Sequence, residues 1–422
     1  MSNERSGFSS RLGFVLATAG SAVGLGNIWR FPYLAAKYGG GTFLLTYLIL
    51  TLTFGFSLMI TEVALGRKAG TSAIRAFGHF SKKHTFIGYL TTIIPFIIFP
   101  YYCVIGGWVT KYALISLQGG IHNAASDTFF TGFISKSAEP MICVLVFLIA
   151  TTVVVAGGVK GGVERVSTIM MPVLIVLLIG VSLFCITRPG AMAGVAYYLK
   201  PSLKGFGPTT ILAALGQLFY SMSLAMGIMI TFGSYMPKKA DLEKSVTQVE
   251  IFDTGVAFLA GLMIVPAVFV FSNGDSSMLA KGPSLMFVML PKVFDSMAFS
   301  SVIAVFFILV LLAALTSSIS LLETLVAVLM DKFHMKRGTA CITMFIIALL
   351  LAVPSSLGFG AWSNITILGF DFLDFFDFIS NSVLMPIAAF LTCLFVGYII
   401  KPKVIVDEVE SSGEFKRKSL FL

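Results

Sequence analysis

Charged residues are scarce in this sequence, and their scarcity excludes an ordinary soluble globular protein. Asp, Glu, Lys and Arg make up only 12% of its 422 residues, whereas soluble domains carry about a quarter. Hydrophobic residues account for 57%. The formal net charge of +9 does not indicate a nucleic-acid partner, because the charges lie in clusters between long apolar runs, as membrane topology requires.

Cysteine is also rare, and a signal-peptide cleavage motif is lacking. The five cysteines are Cys103, Cys143, Cys185, Cys341 and Cys393. All fall inside apolar runs, where neither an outer-loop disulfide framework nor a zinc site is expected. The first apolar run begins near Leu12 and continues into Trp29-Arg30-Phe31-Pro32. It is therefore predicted to be a first membrane helix and not a removable leader.

Ten apolar segments have the length of about 20 residues that crossing a bilayer requires. They run approximately over residues 12–36, 41–66, 86–116, 140–157, 166–187, 207–235, 250–272, 300–330, 339–354 and 372–400, and are called segments one to ten. Residues 283–297 are predicted to form a short hairpin that dips back from an outer loop. The sequence thus predicts an all-α, polytopic protein of the lipid bilayer.

Lys and Arg are distributed unevenly between alternate loops. With a cytoplasmic N-terminus, most of the 29 Lys and Arg residues lie on the inner side, which is the side that they favour. Both termini are therefore predicted to be cytoplasmic. The tail over residues 401–422 is polar and charged, and it ends too soon for another span.

Segments one and six are interrupted at similar depth, the first over residues 20–27 and the sixth over residues 221–227. Interruptions of this kind in corresponding places of two halves are typical of inverted-repeat transporters. We therefore predict two inverted five-helix repeats, residues 1–200 and 201–400, whose first and sixth helices are unwound. The alternative is that the glycines only permit close helix packing.

Polar side chains accompany the two interruptions. Asn27, Ser221 and Asp253 would be costly facing lipid, and with a freed carbonyl such as that of Ala22 they offer the oxygen ligands that a hard cation prefers. Segment eight adds the run of residues 313–318, Ala-Ala-Leu-Thr-Ser-Ser, whose hydroxyls can meet further carbonyls of segment one. The alternative for this run is hydrogen bonding to its own preceding turn.

The break in segment one also fits a carboxylate. The start of a half-helix presents unpaired amides and a positive dipole, and the amides of Leu25 and Gly26 lie there. Gly24 leaves room for the carboxylate. An ammonium group would meet carbonyls of segment six and the Ser223 hydroxyl. The methyl group of Ala225 is expected to trim the space beside them.

The string Val23-Gly24-Leu25-Gly26-Asn27-Ile28-Trp29-Arg30-Phe31-Pro32, followed by Gly39-Gly40-Gly41, closely resembles the first-helix signature of the neurotransmitter:sodium symporters. The resemblance is to the bacterial amino-acid branch of that family, typified by the leucine transporter. It extends over segments one to ten. Further matching residues are Glu62, Gly66-Arg67, Tyr101-Tyr102, Gly216-Gln217, Ser221, Ser223 and Leu315-Thr316-Ser317-Ser318.

The resemblance implies two sodium sites and a substrate site between them. The first sodium would be bound by the Ala22 carbonyl, Asn27, Ser221, Asp253 and the substrate carboxylate. The second would be bound by the carbonyls of Gly20, Val23 and Ala313 and the hydroxyls of Thr316 and Ser317. The substrate contacts would be Ser21, Ala22, Gly24, Leu25, Gly26, Ile98, Tyr102, Tyr220, Ser221, Ser223, Met226, Ser317 and Leu321.

The resemblance also implies two gates and no need for chloride. Animal relatives bind chloride beside the first sodium, and here the carboxylate of Asp253 would supply that negative charge. Arg30 would pair with Asp374 on the outer side, and Arg5 with Asp331 on the inner side.

We therefore expect a symporter of the bacterial inner membrane, not an enzyme, that imports neutral hydrophobic amino acids with sodium by alternating access. A non-transporting sodium-dependent sensor or a decayed carrier is the alternative, prompted by the end of the chain after segment ten. The sequence gives no oligomeric state.

Overall fold

The computed structural model describes residues 7–120, 124–126, 128–202, 206–272, 284–296 and 300–422. Within these ranges the chain is helical, with one isolated β-bridge between Ile367 and Phe370. The predicted all-α, polytopic fold is confirmed. Long apolar helices form because neither lipid nor a packed helix interior offers partners to free backbone amides and carbonyls, which a helix satisfies internally.

Eight helices in the described part of the chain are long and apolar enough to cross a membrane, and they correspond to segments two to five and seven to ten. Their bounds are Gly41–Ala69, Lys82–Leu117, Ala138–Ala156, Val159–Ile186, Leu242–Phe271, Ser301–Phe333, Arg337–Leu357 and Phe372–Ile400. The largest shift from the predicted bounds is in segment seven, which begins eight residues earlier, at Leu242 instead of residue 250.

Segments one and six are broken helices. In segment one, Arg11–Ala22 and Gly26–Lys37 meet at 51°. In segment six, Pro208–Ser221 and Ile228–Tyr235 are separated by residues 222–227. Counting the bent pair of segment one as one crossing gives up to nine candidate spans among the described residues, and the two shorter helices of segment six lie where the remaining one is predicted.

The break in segment six has a backbone that a helix cannot contain. Ser223, Ala225 and Gly227 have φ angles of 53°, 61° and 71°, which lie in the left-handed region. An L-residue there costs of the order of 1–2 kcal/mol relative to the right-handed helix. Such strain is stored where the surroundings hold it in place, and functional sites are the usual location.

The two broken segments lie among the other helices and are not at the edge. The helix Arg11–Ala22 contacts segments five, seven and eight, and Ile228–Tyr235 packs along segment two. Segments three, four, eight and nine pack against one another, and segment eight also contacts segment one. Both breaks are therefore surrounded by protein, as unwound backbone at membrane depth must be.

Only part of the predicted hairpin over residues 283–297 can be described, since its two end residues lie outside the described ranges. Residues Leu285–Met289 and Leu290–Ser296 form one short helical run that packs between segments seven and eight.

The tail is folded against the end of segment two. Lys403–Glu410 is a helix, and Arg67 of segment two, only 1% exposed, donates to Glu408 Oε1 at 2.8 Å and to the Ala240 carbonyl at 2.9 Å. Arg417 donates to Glu250 Oε2 at 2.8 Å. These buried charges are paired, as burial requires.

Candidate functional site

A small cavity lies between the two breaks. Its lining contains every residue that was predicted to bind substrate, and it adds Ile228, which the sequence analysis did not identify. The lining residues are Ser21, Ala22, Gly24, Leu25, Gly26, Ile98, Tyr102, Tyr220, Ser221, Ser223, Met226, Ile228, Ser317 and Leu321. Ala225 is not among them, so its methyl group does not trim this space.

The polar part of the lining comes from both broken segments and from segments three and eight. Ser223 Oγ donates to the Ser21 carbonyl at 3.0 Å and accepts from Ser21 Oγ at 3.1 Å, which joins the two breaks. The buried hydroxyl of Tyr102 faces Ser317 and the backbone of Leu25, but it meets hydrogen-bond geometry with no atom of the described residues. A buried hydroxyl without a partner is costly, and a ligand oxygen in the cavity would satisfy it.

Two glycines of segment one give the cavity its room. A Cβ atom on Gly24 would come within 2.4 Å of Ser317 Oγ and 3.2 Å of the Tyr102 hydroxyl. A Cβ atom on Gly26 would lie 2.8 Å from the Tyr220 ring. Any side chain at position 24 would therefore fill the space beside Tyr102.

The predicted ligands of the first sodium meet around the carboxylate of Asp253, which is fully buried. Asn27 Nδ2 donates to Asp253 Oδ1 at 2.7 Å, Ser221 Oγ donates to the same oxygen at 2.8 Å, and the Tyr47 hydroxyl donates to Oδ2 at 3.0 Å. Asn27 Oδ1 accepts from the Gly24 amide at 3.1 Å and keeps a second lone pair.

This first cluster adjoins the cavity. Ala22 and Ser221 belong both to the predicted ligand set and to the cavity lining. Ser221 also donates to Asp253, so this residue joins the cluster to the cavity.

The predicted ligands of the second sodium form a cage of oxygens between segments one and eight. Thr316 Oγ1 lies 3.1 Å from the Ala313 carbonyl and 3.5 Å from that of Val23, and Ser317 Oγ lies 3.5 Å from the Gly20 carbonyl and 3.4 Å from that of Val23. Each hydroxyl has one proton, so several of these oxygens face one another with no proton between them. Two oxygens at right angles around a cation, each about 2.4 Å from it, lie about 3.4 Å apart.

Glu62 holds the unwound part of segment six. It is fully buried, and its Oε1 accepts from the amide of Ala225 at 2.8 Å. That amide cannot bond within a helix because its residue is left-handed. The bond satisfies this buried amide, which helps to keep the strained backbone in place.

A second cavity, with about 1180 Å³ of empty space, lies on the Arg30 side of Tyr220. Arg30 and Asp374, the predicted gate pair, both line it, and the guanidinium of Arg30 lies 5.1 Å from the centre of the Tyr220 ring. Among the described residues no ion pair joins Arg30 to Asp374. Asp377, which the sequence analysis did not choose, lines the same cavity.

The carboxylate of Asp377 is held more firmly by hydrogen bonds than that of Asp374. Its Oδ1 accepts from Asn381 Nδ2 at 2.6 Å and from the Tyr101 hydroxyl at 3.2 Å. Asp374 lies one turn earlier on the same helix.

The predicted pair of Arg5 with Asp331 cannot be described as a pair, because Arg5 lies outside the described residues. Asp331 Oδ2 accepts from the Ser72 amide at 2.7 Å. On the same side of the molecule, the Tyr235 hydroxyl donates to Glu323 Oε1 at 2.8 Å, and Glu323 also pairs with Arg337.

Comparisons with known proteins identify the family of this chain. The model of the Sodium:neurotransmitter symporter family matches residues 5–131 and 130–422. YhdH of Bacillus subtilis (strain 168), an uncharacterized sodium-dependent transporter, is 36% identical over 412 residues, which cover 96% of this chain and 90% of the relative. An uncharacterized sodium-dependent transporter of Haemophilus influenzae is 35% identical over 436 residues, which cover 99% of this chain and 93% of the relative.

Similarity to a solved structure extends over the whole chain. The crystal structure of MhsT in complex with L-phenylalanine superposes with a TM-score of 0.90 at 38% sequence identity, and the match covers 99% of this chain and 95% of that one.

Proposed function

The chain belongs to the sodium:neurotransmitter symporter family, whose members are membrane transporters and not enzymes, and on that premise we propose that it carries neutral amino acids together with sodium. The observation that carries the proposal is the central cavity between the two breaks. It adjoins one oxygen cluster built on Asp253, and a second oxygen cage lies between segments one and eight.

The cavity offers partners for both ends of an amino acid. The Tyr102 hydroxyl and the amides at the start of Gly26–Lys37 are donors for a carboxylate. Hydroxyl and carbonyl oxygens of Ser21 and Ser223 are acceptors for an ammonium group. A structure of the similar MhsT holds L-phenylalanine, which supports a substrate of this class.

The side chains around the rest of the cavity select against charged substrates. Ile98, Met226, Ile228 and Leu321 are apolar, and no Lys, Arg, Asp or Glu lines the cavity among the described residues. A charged substrate side chain would be buried there without a partner, at a cost of several kcal/mol. We propose neutral hydrophobic amino acids, with leucine, valine and methionine preferred.

Sodium would take both predicted sites. At the first, the substrate carboxylate completes the ligand set, so that sodium and substrate each raise the other's affinity. Asp253 would make chloride unnecessary. We propose that the carrier lies in the bacterial inner membrane, with both termini in the cytoplasm, as the distribution of Lys and Arg predicts, and with the Arg30 cavity on the outer side.

The outer gate would close over Tyr220. Arg30 can pair with Asp374, as predicted, or with Asp377. We favour Asp377, because Asn381 and Tyr101 already orient its carboxylate toward the cavity that Arg30 lines.

A binding screen of the twenty common amino acids, with and without sodium, tests this function. We expect sodium-dependent binding of hydrophobic amino acids and no binding of glutamate or lysine. Replacement of sodium by choline should abolish binding. Sodium-independent binding, or a preference for a charged amino acid, would contradict the proposal.

Tyr102→Phe is expected to weaken amino-acid binding by about tenfold to a hundredfold, because a hydrogen bond to a charged group contributes about 1.5–3 kcal/mol. Tyr112→Phe is the matched control. Tyr112 lies on the same helix, and its buried hydroxyl donates to the Phe287 carbonyl at 2.7 Å outside the cavity. Isothermal titration or scintillation proximity binding measures both, and equal affinities would show that the Tyr102 hydroxyl does not bind substrate.

A further inference from the structure

Glu164 connects the start of segment five to the start of segment one. Its carboxylate is 6% exposed and accepts two hydrogen bonds from one residue, the Ser9 amide at 2.8 Å and the Ser9 hydroxyl at 2.5 Å. Neither residue belongs to the substrate or sodium sites. The pair is separated by 155 positions in the sequence, so it fixes two distant parts of the chain to one another.

The carboxylate sits on the first turn of the helix Arg11–Ala22. Gly13 lies directly beneath it, since a Cβ atom there would come within 1.8 Å of Glu164 Oε1. The first turn of a helix has unpaired amides and the positive end of the dipole, which attract a carboxylate. Ser10 provides the ordinary cap of this helix, because its Oγ accepts from the Gly13 amide at 3.0 Å.

The opposite end of the same helix reaches the second oxygen cage. Gly20 contributes a carbonyl to that cage, and a Cβ atom on Gly20 would lie 3.5 Å from Met171 of segment five. A helix of 12 residues is about 18 Å long. It is therefore held at its first turn by Glu164 and at its last turn by the oxygens of the cage.

We propose that Glu164 is a positioning residue for transport: it holds the helix Arg11–Ala22 against segment five and shares this task with the cation in the second cage. The inference rests on the proposed sodium-coupled function. Opening of the cavity toward the side on which the chain begins requires this helix to move away, and the movement must break both bonds to Ser9.

A quantitative consequence follows from linkage. The Glu164 carboxylate and the cation both stabilise the closed position of the helix Arg11–Ala22. The bonds to Glu164 therefore raise the sodium affinity, and bound sodium favours the bonds to Glu164. Removal of the carboxylate lowers the closed population, and more sodium is then needed to restore it. Amino-acid binding at saturating sodium should be unchanged, because no ligand of either sodium or substrate is altered.

Glu164→Gln tests the inference with little change of shape. The amide nitrogen of glutamine cannot accept from the Ser9 amide, and the negative charge at the first turn is lost. We expect the sodium concentration for half-maximal binding of a labelled amino acid to rise by about tenfold, with full binding at high sodium. Ser9→Ala should give a smaller rise in the same direction, because the Ser9 amide still donates.

Ser10→Ala is the matched control. It removes a hydroxyl from the neighbouring residue and the same helix start, but it leaves Glu164 and its two bonds intact. Its sodium dependence should stay close to that of the unmodified chain. Gly13→Ala is an independent second variant, because its methyl group would push the carboxylate off Ser9, and it should behave like Glu164→Gln.

A second measurement reports the movement itself. Ala17 is 1% exposed on this helix, and Cys393 is the exposed cysteine of the chain. In a Cys393→Ser background, Ala17→Cys should react faster with a water-soluble maleimide when Glu164→Gln is added, and sodium should slow the reaction. A purely structural defect would not respond to sodium in this way.

The outcomes separate the two proposals. If the unmodified chain binds no amino acid in a sodium-dependent manner, the proposed function fails and this inference fails with it. A second outcome is that the unmodified chain binds in a sodium-dependent manner while the three variants match the control Ser10→Ala in sodium dependence and in labelling rate. That result would overturn only the role of Glu164; the three variants are Glu164→Gln, Ser9→Ala and Gly13→Ala.

Discussion

Asp253→Asn is expected to abolish sodium-driven uptake in chloride-free medium, whereas the unmodified chain should transport equally well in chloride and in gluconate. The buried carboxylate accepts three hydrogen bonds, from Asn27, Ser221 and Tyr47, so it is held ready for a cation. Without its charge the cation is buried uncompensated. Leaving one buried charge unpaired costs about 3–5 kcal/mol, which corresponds to a loss of more than about a hundredfold in affinity.

Tyr47→Phe separates the charge of this site from its hydrogen bonding. It removes one donor at 3.0 Å from the carboxylate and leaves the negative charge in place, so uptake should persist without chloride. Uptake by Asp253→Asn that is restored by chloride would agree with the account, since the anion would replace the lost charge. Uptake by the unmodified chain that stops in gluconate would contradict it.

Thr316→Ala and Asn27→Ala are each expected to eliminate uptake at low sodium and to recover part of their substrate binding at high sodium. Each change removes one oxygen ligand and leaves the others of its site in place. We expect the loss of one oxygen ligand to cost about as much as the loss of a hydrogen bond to a charged group, about 1.5–3 kcal/mol, so the sodium affinity should fall by about tenfold to a hundredfold.

Ser318→Ala is the control for Thr316→Ala. Ser318 is the second residue after Thr316 on segment eight and is equally buried, but its hydroxyl bonds to Thr151 Oγ1 at 2.8 Å, away from the cage. Titration of amino-acid binding with sodium compares the three variants. An unchanged sodium dependence in both Thr316→Ala and Asn27→Ala would refute the assignment of the two sites.

The central site could be predicted from the sequence because many of its residues are neighbours in the sequence. Gly24 and Gly26 stand within three residues of Asn27, and Thr316 is next to Ser317. Clustered glycines and hydroxyl side chains are unusual inside an apolar membrane helix, and they therefore indicate where the helices are broken. Ile228 has no such mark, since one more isoleucine in an apolar segment looks like any packing residue.

Contacts between distant residues could not be predicted in the same way. Glu164 and Ser9 lie near the starts of segments five and one, and each alone resembles an ordinary polar residue at a membrane surface. Arg67 directly follows segment two as predicted from the sequence, where a positive charge is expected to face water, yet it is buried against the tail. The apolar residues of the tail have the spacing of an amphipathic helix, because Ile405, Val406 and Val409 share the buried face of Lys403–Glu410. A helix of eight residues is too short to predict which part of the protein its apolar face covers.

The choice between Asp374 and Asp377 shows a third kind of difficulty. The two carboxylates are three residues apart on one helix, so both face roughly the same direction. Only the contacts of Asp377 with Asn381 and Tyr101 distinguish them.

Uptake of labelled leucine into proteoliposomes under an inward sodium gradient tests the central claim most directly. The account predicts accumulation above the outside concentration, collapse of that accumulation when sodium is made equal on both sides, and no effect of replacing chloride by gluconate. Sodium-dependent binding of leucine without accumulation would contradict it and would identify the chain as a sensor and not a carrier.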